Sequence, residues 1–389
     1  MENQKQSLWT KDFIIITGIN LLLFCGFQML LPTLPLFAKS LGGSDAALGW
    51  IGGSATVAAI LIRPVAGAIL DKMGRKGVLI AGMLIMMLVT LVFGFLPTVG
   101  AVIAIRFVHG IGWGLASTAS STIASDEIPK SRFGEGMGYF SLSSSLAMAL
   151  APGIALGIFA AHGFKPVSFW SAGLLVIVLL LSIFIKSTRT AQPQKEKTKA
   201  AIYERASILP AVIMFLVSVT YGSITGFLSI YATESGVKNI GMFFSVYAVT
   251  LLISRPLCGR LTDKFGFSSV ISPGLVLVIA AMSLLSKAGS LPVFLVCAAV
   301  YGLGFGAVQS SLQTMAIIRA PKERRGAANA TFFTGFDGGI GFGSVVGGII
   351  ASYSKYSLMY LYLSLFVVLA GVLYYLFFMR KKSGEDSSN

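Results

Sequence analysis

Charge is scarce in this 389-residue sequence: only 12% of it is Asp, Glu, Lys or Arg, about half the share of an average soluble protein. Set against an apolar fraction of 55% and a mean hydropathy of +0.82, that scarcity excludes a water-soluble globule, whose core cannot hide so much apolar surface. It excludes a disordered chain too, since such chains are polar and poor in aromatic residues. Cysteine is nearly absent. Cys25, Cys258 and Cys297 lie in three separate apolar stretches, with no CxxC pair and no even framework, so neither a disulfide scaffold nor a thiolate metal site is expected. The only histidines are His109 and His162, and no HExxH, GxxxxGK[ST] or GxSxG pattern occurs. A zinc hydrolase, an ATP-driven machine and a serine-elbow hydrolase are thereby disfavoured. The chain reads as no enzyme, with no cofactor and no metal.

What is present is long apolar runs. A bilayer core needs about 20 apolar residues of helix. On that ruler the sequence offers twelve spans, at 13–36, 47–69, 77–96, 100–124, 136–161, 166–185, 207–232, 240–262, 268–286, 291–318, 326–351 and 356–379. The first run, Phe13 to Phe37, is too long for a signal core and has no obvious small-residue cleavage site, so it is read as a span. Most connections are short and polar. The exception, 186–206, carries Lys186, Arg189, Pro193, Lys195, Lys197, Lys199 and Arg205, and predicts a solvated linker between a bundle at 1–185 and another at 207–389.

The net charge of +15 finds its explanation in these loops. With the N-terminus in the cytoplasm, only Lys39, Lys165, Lys238, Lys287 and Lys355 fall on the far side, and Arg63, Arg106 and Arg255 fall within spans; every other Lys and Arg is cytoplasmic. Positive loops stay inside, so both termini are expected in the cytoplasm of a multi-pass cell-membrane protein. Attraction to anionic lipid follows, and nucleic-acid binding is not needed to account for the charge.

The halves repeat at one offset of 192 residues. Arg63-Pro64-x-x-Gly67-x-x-x-Asp71-Lys72-x-Gly74 recurs as Arg255-Pro256-x-x-Gly259-x-x-x-Asp263-Lys264-x-Gly266. Gly110-x-Gly112-x-Gly114 recurs as Gly302-x-Gly304-x-Gly306, and Pro129-Lys130-x-Arg132-x-Gly134 as Pro321-Lys322-x-Arg324-x-Gly326. Three spaced patterns at one offset indicate a duplicated six-helix unit. Six is even, so the copies share one orientation about an axis along the membrane normal. The predicted fold is an all-α membrane protein of two six-helix bundles related by that pseudo-two-fold.

Twelve spans, a basic central loop and the stretch Gly67-Ala-Ile-Leu-Asp71-Lys72-Met-Gly74-Arg75-Lys76 resemble the major facilitator superfamily along essentially the whole chain. The second copy lacks the Arg-Lys pair. Pro32, Pro35 and Arg106 resemble the twelve-span drug:proton antiporter group. Span 5 carries Gly138-x8-Ala147-x3-Ala151-Pro152, a degenerate match to that group's motif, in which Pro152 bends the helix. The resemblance implies a gating latch: Asp71 docked near Gly326, Arg75 paired with Asp126, and Asp263 docked near Gly134, with Gly67, Gly74, Gly259 and Gly266 permitting the close approach. It also links Arg106 to proton coupling.

The residues support that direction. A cation within a span costs about 2.5–3.5 kcal/mol on insertion scales unless it faces protein or water, and Arg106 shares a helical face with His109, Gly110, Trp113 and Ser117. The alternative is an arginine snorkelling to the headgroups. Of the 15 acids, Asp337 alone sits mid-span. A carboxyl withdrawn from water holds its proton to higher pH than an exposed one, the property a proton carrier needs; the alternative is a carboxylate paired for packing. Its face, Thr334, Asp337, Gly341, Ser344 and Gly348, suits close packing or a cavity wall. Asp337 could pair with Arg106 across a midplane cavity. Candidate cavity residues are Asn20 and Gln28 in span 1, Trp113 in span 4, Tyr221 and Thr225 in span 7, Tyr247 in span 8, and Gln309 and Gln313 in span 10. Aromatic walls with few charges suit lipophilic or amphipathic cargo. The sequence therefore predicts a monomeric secondary transporter whose partners are a small-molecule substrate, protons and lipid, working as a proton-coupled exporter by alternating access. A symporter or dedicated exporter of a polar metabolite is the near alternative, and a non-transporting membrane sensor the distant one.

Overall fold

The structure is a computed structural model that describes residues 7–129, 132–185, 203–321 and 325–379. No strand occurs among the described residues, which form twelve long helices. They are α1 (Lys11–Ser40), α2 (Asp45–Met73), α3 (Arg75–Phe93), α4 (Val99–Glu127), α5 (Phe133–His162), α6 (Phe164–Ile183), α7 (Ile208–Glu234), α8 (Gly241–Phe265), α9 (Ser268–Leu285), α10 (Leu291–Ile318), α11 (Arg325–Tyr353) and α12 (Tyr356–Tyr374). Among the described residues, 11 helices are long and apolar enough to cross a membrane, while the apolar stretch of α8, Gly241–Ser254, is shorter.

The helices overrun the apolar runs. Asp71 was expected in a connection, but α2 continues through it to Met73 and stops at Gly74, where φ is 76°. Likewise α8 continues through Asp263 to Phe265 and stops at Gly266, where φ is 84°. A left-handed residue ends a helix sharply, and glycine adopts it without strain.

Two compact units are present: residues 1–34 with 54–200, and residues 35–53 with 201–389. This differs from a first bundle ending at 185, because the end of α1 and the start of α2 group with the second unit. Most of the linker, 186–202, lies outside the described residues.

In the first unit α3 packs between α4 and α6, and α5 contacts both α4 and α6. Gly82 of α3 and Gly112 of α4 face each other, so that a methyl on Gly112 would stand 2.8 Å from the Gly82 carbonyl oxygen. Gly110 and Gly114, on the other side of α4, abut Ala55 and Ala59 of α2. The second unit does the same with the second copy. A methyl on Gly304 of α10 would stand 2.7 Å from the carbonyl oxygen of Gly274 in α9, and Gly302 and Gly306 abut Tyr247, Thr250, Leu251 and Ser254 of α8. Small residues let backbones close to van der Waals contact where lipid provides no hydrophobic drive. The recurring glycine triplet is thus a three-helix packing node, present once per unit.

The second unit contains a further seam. In α11, Gly335, Gly339 and Gly343 press on the carbonyls of Ala211, Phe215 and Val219 in α7. At its far end Ser344, Val345 and Gly348 meet Gly49, Gly52 and Gly53 of α2. The Tyr356 hydroxyl donates to Asp45 Oδ1 at 2.6 Å, and Lys39 Nζ bonds the same oxygen at 2.9 Å. These contacts explain why residues 35–53 belong to this unit.

Candidate functional site

Arg106 is buried within the first unit, with 1% of its surface exposed, so it does not snorkel. Its Nη1 lies 3.0 Å from His109 Nδ1, one helical turn on. The guanidinium stands over the Phe27 ring at 4.7 Å. Phe27 also stacks on His109 and, at 4.1 Å and 19°, on Trp113, while Phe24 meets Trp113 edge-on. Phe93 closes the far side of His109 edge-on at 5.8 Å. The arginine and histidine therefore sit in an aromatic box built from α1, α3 and α4. Its spacing is local: Arg106, His109, Gly110 and Trp113 share one face of α4, so the same helix turn that admits α2 at Gly110 directs the basic pair toward α1.

Asn20 is close by in sequence yet otherwise engaged. Its amide donates to Ser143 Oγ at 2.9 Å and to the Phe140 carbonyl, and it accepts from Ser120. It ties α1 to α4 and α5 and so serves packing. Gln28 is buried in α1.

The second unit carries its own cluster, centred on Phe305. Tyr221 stacks on Phe305 at 5.3 Å and 24°, and Tyr301 does so at 5.3 Å and 19°. Tyr247 lies 6.0 Å from Tyr221 and 5.9 Å from Tyr301, and Tyr301 shares a 2.9 Å hydrogen bond with Thr220. Gln309 and Gln313 are buried on α10. Thr225, by contrast, turns its hydroxyl onto the carbonyls of Tyr221 and Gly222 in its own helix. Tyr301 and Phe93 join these clusters without having been expected from sequence. The repeat offset could have found Tyr301, which stands where His109 stands in the first copy, as Phe305 stands for Trp113. Nothing in sequence marks Phe93.

Asp337 lies near the middle of α11 and is half-buried rather than enclosed. Gly335 and Gly339 face α7, so Asp337, two residues from each, projects from the opposite side of the helix. Its face continues through Gly341, Ser344 and Gly348, which are packed against Gly49, Gly52 and Gly53. That end of the face is a helix seam and not a cavity wall. Pro152 lies within α5, which remains helical through it.

Of the expected latch, Arg75 and Asp126 form an ion pair. Arg75 opens α3 and Asp126 nears the end of α4, positions where each charge opposes the helix dipole, so the pair relieves both. Lys76 donates to the Ile183 and Ile185 carbonyls at 2.9 Å each, capping α6. In the second copy Ser268 replaces Lys76 and bonds the Tyr374 hydroxyl at 3.0 Å, near the end of α12. The side chains of Asp71 and Asp263, the surroundings of Gly67 and Gly259, and the docking partners Gly134 and Gly326 lie outside the described residues.

A duplicated bundle of membrane-crossing helices, with buried polar groups in each half, defines a polytopic transporter-like protein. The family model of the Major Facilitator Superfamily matches residues 16–238 and 210–389, and the chain belongs to that superfamily of membrane transporters. Among relatives, the multidrug resistance protein MdtG of Citrobacter koseri is 27% identical over 341 residues, 82% of each chain. An uncharacterized MFS-type transporter of Methanocaldococcus jannaschii is 24% identical over 384 residues, covering 95% of this chain and 96% of that one. Among solved structures, a variant of the nucleoside transporter NupG aligns with a TM-score of 0.76 at 14% identity, over 94% of this chain and 99% of that one. The human organic anion transporter MFSD10 aligns at 0.68 and 18% identity, over 93% and 98%. At these identities the structural matches speak for the fold.

Proposed function

We propose that the chain is a proton-coupled exporter of small lipophilic or amphipathic organic compounds, working by alternating access as a monomer in the cell membrane with both termini in the cytoplasm. The observation that carries this reading is the aromatic box of the first unit, where Phe24, Phe27 and Trp113 surround a single basic pair. Aromatic walls with one charged group suit an amphipathic solute better than a multiply charged metabolite. Similarity to multidrug resistance proteins named MdtG supports the outward direction.

Asp337 is the proposed proton carrier, since it is a half-buried carboxyl in a helix otherwise free of acids. Arg106 and the neutral imidazole of His109 are its proposed partners in coupling. In proteoliposomes with an imposed pH gradient, wild-type protein should move a lipophilic dye against its gradient and respond to the sign of the pH difference. Asp337→Asn should retain dye binding and lose the gradient response. Full gradient-driven transport by that variant would remove Asp337 from the carrier role. A polar cargo is the second reading, favoured by the buried amides Gln309 and Gln313 and by the phenols of Tyr221, Tyr247 and Tyr301 in the same unit. A metabolite panel in the same vesicles decides between them.

A further inference from the structure

We infer that Arg106 and His109 together form a donor-only subsite for the carboxylate of a planar aromatic compound. The inference rests on the proposed export function and names a class of cargo within it. Arginine has five N–H donors and no acceptor, so in the 3.0 Å contact between Arg106 Nη1 and His109 Nδ1 the imidazole nitrogen must accept. That fixes His109 as the neutral tautomer with its proton on Nε2. Two nitrogens then stand without any partner: Arg106 Nε and His109 Nε2 are both buried and make no hydrogen bond. An unmet buried donor costs about 1–3 kcal/mol, and more on a charged group. Two in neighbouring side chains, one of them on a guanidinium, are exceptional in a folded protein, where most buried polar atoms are paired.

Both unmet groups are donors, so the chemistry that completes them is an acceptor with negative charge. A carboxylate accepts from N–H donors such as these and supplies the counter-charge. No carboxylate ion-pairs with Arg106 among the described residues. The stack of Phe27 on Trp113, with Phe24 at its edge, offers flat apolar faces beside the donors, which suits an aromatic ring carrying the acid. Arg106 is 1% and His109 0% exposed, so binding requires the box to open, as an alternating-access protein permits.

Trp113 provides the probe. Trp9, Trp50 and Trp170 are exposed by 49%, 48% and 63%, and their replacement by Phe leaves Trp113 as the sole indole of the full-length protein. Quenching of its fluorescence by naphthoate and by the methyl ester of naphthoate, at neutral pH in detergent, should show the acid binding about tenfold more tightly than the ester, the value of one charged hydrogen bond. His109→Phe should abolish that preference, and His109→Gln, whose amide both accepts from Arg106 and donates, should keep it. Equal affinities in the otherwise unmodified protein overturn the subsite, whether or not either variant folds. So does a preference that survives His109→Phe. The two readings separate cleanly. Gradient-driven dye export with no preference for the acid overturns the subsite alone, whereas preferential acid binding with no solute moved under either gradient supports the subsite and removes the exporter.

Discussion

At the residue scale, buried polar side chains divide into those already satisfied and those left open, and this division is what sequence patterns cannot express. Asn20, Arg106 and His109 all read as polar residues on apolar helices. In the structure Asn20 bonds Ser143, Phe140 and Ser120, whereas Arg106 and His109 bond each other and retain unmet donors. The partners of Asn20 lie a hundred or more positions away in sequence, so no local pattern announces them. The consequence is measurable. Asn20→Ala removes a buried amide and leaves Ser143 to its own helix carbonyl, with an expected loss of about 1–3 kcal/mol. That should appear as a lowered midpoint in a thermal unfolding assay of the detergent-solubilised protein, with the acid preference at Arg106 unchanged. An unaltered midpoint would show that the bridge between α1, α4 and α5 contributes nothing.

At the element scale, the repeat was legible in sequence and its mechanical meaning was not. The glycine triplets Gly110-x-Gly112-x-Gly114 and Gly302-x-Gly304-x-Gly306 are visible as strings. Their partners Gly82 and Gly274 belong to no glycine string, and only the structure shows that each sits opposite the middle glycine of a triplet. The helix order was readable because each run is long and uniformly apolar. The seam of α2 on α11 was not, since Gly49, Gly52 and Gly53 meet residues about three-quarters of the chain away. Asp337 illustrates both sides of this. Its place in mid-helix was legible, but its half-buried setting depends on which face α7 and α2 occupy. The node makes a clear prediction. Gly112→Val places branched carbon against Gly82 and Met86 and should cost roughly 1–3 kcal/mol or more by overpacking, with a matching fall in folded yield by size-exclusion chromatography. Gly304→Val should behave alike, and Gly157→Ala, where nothing lies within 4 Å, should be silent. A tolerated Gly304→Val beside an intolerant Gly112→Val would mean the two nodes are not equivalent.

At the scale of the whole molecule, the net charge of +15 is a statement about topology. A chain that crosses a membrane repeatedly must alternate sides at successive loops, so each loop is assigned a side once one end is assigned. Loops holding Lys39, Lys165, Lys238, Lys287 and Lys355 have one basic residue apiece, and the remaining loops and tails hold nearly all the others. Moving the richer set across a membrane is disfavoured, so the proposed topology keeps that set in the cytoplasm. Lys165, Lys287, Arg205 and Lys264 are all exposed, which makes each a usable labelling position. Cys25, Cys258 and Cys297 are at least partly buried, and replacing them with Ala leaves a background free of thiols. On that background Lys165→Cys and Lys287→Cys should react with a membrane-impermeant maleimide added to intact cells. Arg205→Cys and Lys264→Cys should react only after the membrane is opened. The opposite pattern would invert the orientation, placing Asp337 in a protein whose proton and solute fluxes run the other way relative to the cell. Labelling of Lys165→Cys but not Lys287→Cys would break the parallel orientation of the two copies, and with it the reading of the 192-residue repeat as a duplicated even-numbered bundle.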